Sequence, residues 1–307
     1  MKYFVADAHA DTLYAIAIED KAPEGCAVTP GALASGGVGL QTFALFAGSK
    51  GPAGQPYDKA RRMLARVLDL GVPILTGALP EDAPSSPCGI LSIEGGEVLE
   101  GSFERLNEFA AEGVRMIAIT WNHENELAYP AMNDCGKGLK PLGVDMLHAM
   151  NALGILADVS HLNEAGFYGV IEHSSLPVVA SHSNLRTLAS SPRNLWPEQA
   201  RAIFAGRGFV GINFYSDFLT DGRPAVIDDV IRHIDGFCEL GGVDCVGFGS
   251  DFDGIERWPE GLHNPVGFPV ILERLEKMGY TGAQVAGIAG LNLYRVLRGA
   301  RQAPKAV

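Results

Sequence analysis

Short apolar or β-branched runs alternate along the chain with segments of helical periodicity. Eight such runs predict strands, at residues 3–8, 38–47, 88–93, 114–120, 155–159, 177–181, 208–214 and 245–249. Apolar residues spaced three and four apart predict helices at 58–70, 102–112, 143–153, 164–171, 197–205, 227–240, 265–278 and 281–298. Pro197 is expected in the first turn of its helix, and the stretch from Thr281 to Gln284 predicts a capping box.

This alternation predicts the fold class. Strands that alternate with helices pair in parallel, and eight such units predict a closed (β/α)8 barrel, the TIM-barrel class of α/β protein. A doubly wound open sheet is the competing architecture, which we rank lower because the count is eight and no glycine-rich phosphate-binding turn follows the first strand. The length suits a single catalytic domain over residues 1–307, with the segments 48–56 and 129–140 as loops.

Composition narrows the classes of function. Hydrophobic residues make up 47% of the chain and charged residues 20%, which is enough apolar material for a sizeable core. The net charge of −12 repels phosphate backbones and anionic lipids, so binding to nucleic acid or to a membrane is not expected. Five cysteines without a CxxC pair, no signal-peptide apolar region and no apolar run of 18 residues predict a cytoplasmic protein with reduced thiols.

Metal-capable side chains occur at the carboxyl ends of the predicted strands. Those ends meet at one rim of a barrel, where barrel active sites lie, so side chains from distant stretches are expected to converge. The candidates are His9, Asp11, Glu94, His161, His182 and Asp251. Each has an ordinary alternative when taken singly, such as a solvated loop carboxylate, a buried structural histidine or a turn-forming aspartate. Their joint position outweighs those alternatives, and the other four histidines are expected to be structural or on the surface.

The residue types indicate metal-assisted hydrolysis. Imidazole suits zinc, and one carboxylate can bridge two ions. Five residues are enough for two Zn²⁺ ions that share Glu94, namely His9, Asp11, Glu94, His161 and His182. Two such ions can hold a bridging hydroxide and stabilise the developing oxyanion, which leaves Asp251 to move the proton from water to the leaving group. Arg193 is a candidate for a bidentate contact with a substrate carboxylate, with a surface ion pair as its alternative.

With these residues in this order, the chain resembles the membrane (renal) dipeptidase family of zinc peptidases, in the metal-dependent hydrolase superfamily. The resemblance covers residues 7 to about 298. It rests on D-A-H-A-D-T at 7–12, I-E-G-G at 93–96, D-V-S-H at 158–161, S-H-S at 181–183, R-N at 193–194, N-F-Y at 213–215 and G-S-D-F-D-G at 249–254.

The resemblance assigns roles to these positions. It implies one zinc on His9, Asp11 and Glu94, and a second on Glu94, His161 and His182. It implies that Arg193 binds the substrate carboxylate, that Asp251 is the acid/base, and that Tyr215 lies in the substrate pocket. The implied reaction is hydrolysis of free dipeptides, including those with a C-terminal D-residue.

The resemblance departs from the mammalian members at Trp121. Those members carry a histidine at this position, which helps to bind the substrate carbonyl, whereas Trp-Asn is typical of bacterial members. His123 or Asn122 is expected to make that contact here. The implied protein is a bacterial-type enzyme without a lipid anchor, and a homodimer is the base-rate expectation.

Two other functions stay open at this point. The same two-metal site would serve a lactonase, amidase or deaminase, for which a carboxylate contact at Arg193 would be superfluous. A barrel that stores metal without catalysis is the third alternative, and it would leave Asp251 without a purpose.

Overall fold

The computed structural model describes residues 2–48 and 55–300. Its eight strands are parallel and close a barrel in chain order, because β8 pairs with β1 through Phe248 and Asp7. The strands are β1 (Val5–Asp7), β2 (Val38–Phe46), β3 (Cys88–Glu94), β4 (Val114–Ala118), β5 (Leu156–Asp158), β6 (Val179–Ala180), β7 (Phe209–Ile212) and β8 (Val246–Phe248). The predicted (β/α)8 barrel is confirmed, and the doubly wound sheet was the wrong alternative because the sheet closes on itself.

Helices follow the strands and cover the outside of the barrel. In the described ranges the α-helices are α1 (Thr12–Ala17), α2 (Pro30–Gly36), α3 (Pro56–Ala65), α4 (Phe103–Ala111), α5 (Pro141–Ala152), α6 (Glu164–His173), α7 (Pro197–Ala205), α8 (Ser216–Leu219), α9 (Ile227–Phe237), α10 (Phe268–Lys277), α11 (Gly282–Ala286) and α12 (Asn292–Ala300). Pro197 is the first residue of α7, as predicted. The capping box is also confirmed. The Thr281 hydroxyl accepts from the backbone N–H of Gln284, and the side-chain oxygen Oε1 of Gln284 accepts from the backbone N–H of Thr281.

The predicted boundaries differ from the observed ones for physical reasons. The predicted helix 58–70 is broken: α3 ends at Ala65 and a 3₁₀ turn, Val67–Leu70, follows. The predicted helix 281–298 contains a wider π turn, Gly287–Leu291, where Gly290 packs so closely on β1 that a Cβ would lie 2.5 Å from the Ala6 nitrogen.

Other boundaries and short helices were also missed. The run predicted at 177–181 pairs only at Val179–Ala180, because the residues after each strand turn inward over the barrel mouth. The prediction contained neither α1 nor α2, because each spans two turns or fewer. The segment 129–140 is a loop with one 3₁₀ turn, as expected, whereas most of 48–56 lies outside the described residues.

Apolar side chains fill the lower end of the barrel interior. The upper end, where the carboxyl ends of the strands lie, is polar. One buried cluster takes a side chain from each of the first seven strands: Ala6, Leu40, Ile90, Met116, Leu156, Val179 and Phe209. Leu293 and Leu297 of α12 pack against this cluster and close the bottom. Because side chains alternate along a strand, Glu94 shares the inner face of Ile90, and Asp158 shares that of Leu156. The fold therefore directs these two carboxylates to the upper end of the interior.

The cysteines, His233 and the lengths of the helices also bear on the sequence-based expectations. All five cysteines are free thiols. His233 is structural, as predicted: its Nδ1 accepts from the Leu185 N–H, its Nε2 donates to the Leu219 carbonyl, and burial lowers its pKa to about 4. Among the residues described, no helix combines the length and apolarity needed to cross a membrane.

Close backbone packing between β6, β7 and β8 generates a prediction. A Cβ at Gly211 would lie 2.0 Å from the Ser181 carbonyl oxygen and 3.0 Å from the Gly249 Cα. Gly211→Ala is therefore expected to reduce the free energy of unfolding by about 3 kcal/mol, measured by urea denaturation. Gly299→Ala in α12 is the control, because no heavy atom would lie within 4 Å of its Cβ. Equal stability of Gly211→Ala and the wild type would contradict the close packing.

Candidate metal centre

The strand ends bring the predicted side chains together. Glu94 is the last residue of β3, while the others follow β1, β5, β6 and β8 within four residues. The exposed fraction is 8% or less for each of His9, Asp11, Glu94, His161, His182, Asp251 and Arg193. The upper end of the barrel therefore holds a buried polar cluster. Its middle, termed the centre, consists of His9, Asp11, Glu94, His161 and His182.

Glu94 lies in the middle of the centre, and its two oxygens face different partners. Oε2 lies 3.2 Å from the His9 Nε2. Oε1 lies 2.8 Å from the His161 Nε2 and 3.5 Å from the His182 Nε2. The His9 Nε2 in turn lies 3.7 Å from the Asp11 Oδ2. The carboxylate thus divides the centre into a side with His9 and Asp11 and a side with His161 and His182.

An outer hydrogen-bond chain fixes the tautomer of His182. The Ser181 hydroxyl donates to the Asp158 carboxylate, which also accepts from the Ser181 N–H at 2.9 Å. The same hydroxyl oxygen lies 2.7 Å from the His182 Nδ1. Because the hydroxyl has one hydrogen and a carboxylate can only accept it, Nδ1 must carry the proton and donate to Ser181. The His182 Nε2 lone pair is consequently directed at the centre.

Asn122 orients His161 in the same way. The Asn122 Oδ1 lies 2.9 Å from the His161 Nδ1, and an amide oxygen only accepts, so Nδ1 carries the proton. The His161 Nε2 therefore also presents a lone pair, 2.9 Å from the Nε2 of His182. Two lone pairs that face each other at this distance repel unless a cation lies between them. Metal-binding histidines are typically held by a partner on the other ring nitrogen in this manner.

The protonation states of the centre also favour a cation. Burial raises the pKa of Asp11 to about 8, and the Glu94 charge acts in the same direction. Burial alone would raise the pKa of Glu94, but the His9 charge and the imidazoles of His161 and His182 hold it well below its usual range. Burial lowers the pKa of His161 to about 4 and that of His182 well below 6.5. The two imidazoles are therefore neutral at pH 7, and Asp11 holds a proton that a metal ion can displace.

The donor set fits metal ions. His9, Glu94 and His182 have ligand atoms within 4.8 Å of one another, and so do His9, Asp11 and Asp251. The His9 Nε2 and the Asp11 Oδ1 are buried and make no hydrogen bond to any described residue. Buried polar atoms are normally paired, so these two indicate ligand positions rather than structural ones.

Asp251 borders the centre from the β8 side. Its Oδ1 lies 3.8 Å from the His9 Nε2, while its Oδ2 accepts from the Asn213 Nδ2 at 2.9 Å. Its backbone is in the left-handed region, with a φ of 64°, and its N–H donates to the His9 carbonyl at 3.1 Å. Burial raises its pKa, which brings the carboxyl closer to the range of a proton carrier.

Arg193 is close to the centre but opens onto a different cavity. Its guanidinium donates to the His182 carbonyl at 3.4 Å and stacks 5.6 Å from the centroid of Phe218. Its Nε is buried and makes no hydrogen bond to the described residues. Burial lowers its pKa to about 10, so the side chain is still charged at neutral pH. It lines a cavity of about 140 Å³, together with Asn163 and Asn194.

An aromatic-walled cavity of about 330 Å³ opens over the centre. Asp11, Glu94, His161 and Asp251 form its base, and Phe46, Trp121, Asn122, Tyr215 and Phe218 line its walls. Asn122 and Tyr215 therefore border this cavity, as the sequence predicted. Arg257 donates to the Tyr215 hydroxyl, which fixes that ring at the wall.

His123 does not reach this cavity. It is exposed, packs with its ring centroid 5.3 Å from that of Trp121, and lines a separate cavity with Glu97 and Glu124. Of the two residues that the sequence offered for the contact with the substrate carbonyl, Asn122 lines the aromatic-walled cavity and His123 does not. Asn122 is the neighbour that faces the centre.

Some residues of the centre were missed by sequence reasoning. Asp158, Ser181 and Asn213 fall inside motifs that were recognised, but their roles depend on contacts across strands. The signal that could have found Asp158 is its position as the last residue of a strand whose inner face it shares with Leu156. Asn213 carries a similar signal, because it directly follows β7.

The fold and the centre together define the class of protein. A parallel (β/α)8 barrel with histidines and carboxylates at the carboxyl ends of its strands is the architecture of a metal-dependent hydrolase. The family model of membrane dipeptidase, Peptidase family M19, matches residues 2–307. The chain therefore belongs to the membrane dipeptidase family.

Individual proteins are similar to this chain. An uncharacterised protein of Klebsiella pneumoniae is 37% identical over 219 residues, which cover 68% of this chain and 80% of that one. An uncharacterised dipeptidase of Schizosaccharomyces pombe is 34% identical over 67% of this chain, but the match spans only 51% of its own length. A metallopeptidase of Rhodobacter sphaeroides, solved with a phosphinate mimic of the dipeptide L-Ala-D-Ala, has a TM-score of 0.86 and 25% identity, and the match covers 96% of this chain and 98% of that one.

Gly254 packs closely against the carboxylates of Asp11 and Asp251. A Cβ at this position would lie 2.0 Å from the Asp11 Oδ2 and 2.7 Å from the Asp251 Oδ1. Gly254→Ala is therefore expected to displace Asp11 and to lower metal affinity about 10- to 100-fold, with a near-native circular dichroism spectrum. Titration of the metal-stripped protein measures this affinity, and Gly31→Ala in α2, whose Cβ would contact nothing within 4 Å, is the control. Unchanged metal affinity in Gly254→Ala would contradict the placement of Asp11.

The second prediction concerns Asn122, which we assign to the orientation of His161. Asn122→Ala removes the acceptor for the His161 Nδ1–H and is expected to weaken metal binding about 10-fold. Competition with a chelator of known affinity measures the change. His123→Ala is the matched control, because that side chain lies outside the aromatic-walled cavity. Loss of substrate affinity with unchanged metal affinity in Asn122→Ala would show that Asn122 serves the substrate alone.

Proposed function

We propose that this chain is a binuclear zinc dipeptidase that hydrolyses free dipeptides, including those with a C-terminal D-residue. The observation that carries the proposal is the division of the Glu94 carboxylate, whose two oxygens face separate sets of nitrogen and oxygen ligands. A carboxylate in this position suits a bridge between two ions. We further propose that residues 1–307 form one catalytic domain.

The ligand sets follow from this division. His9, Asp11 and Glu94 would hold one zinc ion, and Glu94, His161 and His182 would hold the other. Imidazole nitrogens with fixed Nε2 lone pairs favour zinc over the harder magnesium or calcium ions. When bound, the ions would supply an activated water and would stabilise negative charge on the substrate carbonyl oxygen.

Asp251 would carry the proton in this reaction. Asp251 lines the aromatic-walled cavity, and its Oδ1 lies 3.8 Å from the His9 Nε2. The carboxylate would take a proton from the attacking water and give it to the departing amino group. Its raised pKa supports both halves of the transfer, because the carboxyl then releases and accepts a proton nearer to neutral pH.

Arg193 would bind the free carboxylate of the dipeptide, because its guanidinium lies 5.6 Å from the centroid of Phe218, which lines the aromatic-walled cavity. Its guanidinium is buried and charged, and its Nε makes no hydrogen bond to the described residues, so it has an N–H available for an anion. This buried cation favours a free dipeptide over a neutral lactone, which would leave it without a counter-charge.

The stereochemistry of the substrate is part of the proposal. The similar Rhodobacter sphaeroides protein binds a mimic of L-Ala-D-Ala, which supports acceptance of a D-residue at the carboxyl end. A cytoplasmic location and a homodimer stay predictions.

The test is a substrate panel with zinc-reconstituted protein. L-Ala-L-Ala, L-Ala-D-Ala, the carboxamide of L-Ala-D-Ala and a simple lactone are compared by kcat/KM. Only the free dipeptides are expected to be cleaved efficiently. Arg193→Ala should lower their kcat/KM about 100-fold, because the substrate carboxylate loses its buried partner. Arg201→Ala is the control, since Arg201 is exposed on α7 and pairs with Glu198.

Two results would contradict the proposal. Cleavage of only the carboxamide or the lactone would keep the metal centre and overturn the dipeptidase assignment. An unchanged kcat/KM for free dipeptides in Arg193→Ala would overturn the role of Arg193.

A further inference from the structure

The Asn213 side chain is buried and lies between the backbone of Tyr215 and the Asp251 carboxylate. It is the residue after β7, and its exposed fraction is 0%. Its Nδ2 donates to the Asp251 Oδ2 at 2.9 Å, and its Oδ1 accepts from the Tyr215 N–H at 2.6 Å. The side chain thus contacts the proposed proton carrier on the side away from the metal ligands.

The orientation of this amide is determined by its surroundings. The Tyr215 N–H can only donate, so the atom that faces it must be the amide oxygen. The NH₂ group is therefore directed at Asp251. The backbone of Asn213 is held as well, since its N–H donates to the Asn184 Oδ1 at 3.0 Å and its carbonyl accepts from the Asn184 Nδ2 at 3.0 Å.

Asp251 has two oxygens in different surroundings as a result. Oδ2 accepts from Asn213, while Oδ1 lies 3.8 Å from the His9 Nε2. The backbone at Asp251 is in the left-handed region, which residues other than glycine rarely adopt, so the surroundings must hold it there. Rotation of the carboxylate about its Cβ–Cγ bond would break the bond to Asn213. The amide thus fixes the plane of the carboxylate and leaves its second oxygen unoccupied by Asn213.

We propose that Asn213 is a positioning residue for the dipeptidase reaction, which holds the Asp251 carboxylate in one orientation so that its second oxygen is available to move the proton. The proposal rests on the acid/base role of Asp251 in the proposed function. Asn213 itself does not line the aromatic-walled cavity and so acts through Asp251. A donor that orients the base is a recurring requirement of proton transfer, because the transfer depends on the direction of the lone pair.

Two competing roles make different predictions. If Asp251 were a metal ligand, which its position near His9 and Asp11 permits, loss of Asn213 would reduce the metal content. If Asn213 were a structural amide only, its replacement would change stability and leave the kinetics unchanged.

The experiment compares Asn213→Ala, Asn213→Asp and Asp251→Asn with the double variant Asn213→Ala/Asp251→Asn. Each protein is loaded with zinc and assayed with L-Ala-D-Ala for kcat, KM, the solvent deuterium isotope effect and metal content. Asn213→Asp keeps the shape and the acceptor for Tyr215 but places a second carboxyl group beside Asp251, so that the two carboxyls share one proton and Asp251 no longer acts alone. Asn151→Ala is the matched control, because Asn151 is a buried amide on α5 that bonds to Ser174 and Ser175.

The expected result is a loss in kcat alone. Asn213→Ala and Asn213→Asp should each lower kcat about 10- to 100-fold, with KM within about two-fold of the wild type. Metal content should stay at the wild-type level, and the solvent isotope effect should rise because proton transfer becomes slower. In the Asp251→Asn background, Asn213→Ala should change kcat by less than about two-fold, since its effect passes through Asp251.

The outcomes that overturn the proposal are distinct from those that overturn the proposed function. Wild-type kcat in Asn213→Ala, full independence of the two substitutions, or lost metal in Asn213→Ala would each reject the positioning role. A wild-type kcat in Asp251→Asn would reject the acid/base role of Asp251 itself. Should Asn213→Ala fail to fold, Asn213→Leu takes its place, because it also lacks the donor to Asp251 and fills a similar space.

Discussion

The structure depends on one electrostatic constraint, which is the convergence of buried carboxylates and imidazole lone pairs on Glu94. His161 and His182 each direct an Nε2 lone pair at the same carboxylate oxygen, at 2.8 and 3.5 Å. Isolated buried charges and unpaired lone pairs are costly in a protein interior. A divalent cation relieves this cost, whereas protons on Asp11 and His9 relieve it only in part. The centre is therefore a destabilised arrangement that the rest of the barrel must hold in place.

The barrel holds the centre through contacts between the residues that follow neighbouring strands. Asp158 at the end of β5 is tied to Ser181 after β6, and this link fixes His182. At the seam where β8 meets β1, Asp7 accepts from the Ser250 N–H at 2.8 Å and from the Gln41 Nε2 at 3.0 Å. These bonds join adjacent strands at their upper ends, beside the residues of the centre. A closed barrel suits this purpose because no strand of it can shift without its neighbours.

Much of this arrangement was predictable from the sequence, and the reason is topological. In a parallel barrel every strand ends at the same rim, so the strand pattern alone brought His9, Glu94 and His182 to one place. The family resemblance supplied the division of the ligands and the dipeptide substrate. Strand parity also explains why Glu94 faces inward, since it lies four residues from the interior Ile90.

The rest depends on contacts between residues distant in the chain, which the local pattern does not encode. Asn122 and His123 are adjacent and chemically similar candidates, yet one faces the centre and the other lines a separate cavity. The direction of the chain after β4 decides between them. The need for glycine at 254 is likewise invisible in the sequence, because the atoms that exclude a Cβ belong to Asp11 and Asp251.

The number of metal ions bound to the centre is the most direct test of this account. Metal-stripped protein is titrated with zinc by calorimetry, alongside Glu94→Gln. If two ions share Glu94, the wild type binds two equivalents of zinc. Glu94→Gln then binds both ions more weakly, because each ion shares that carboxylate. A single equivalent in the wild type, or a Glu94→Gln variant that loses one ion and keeps the other at full affinity, would contradict a shared two-metal centre.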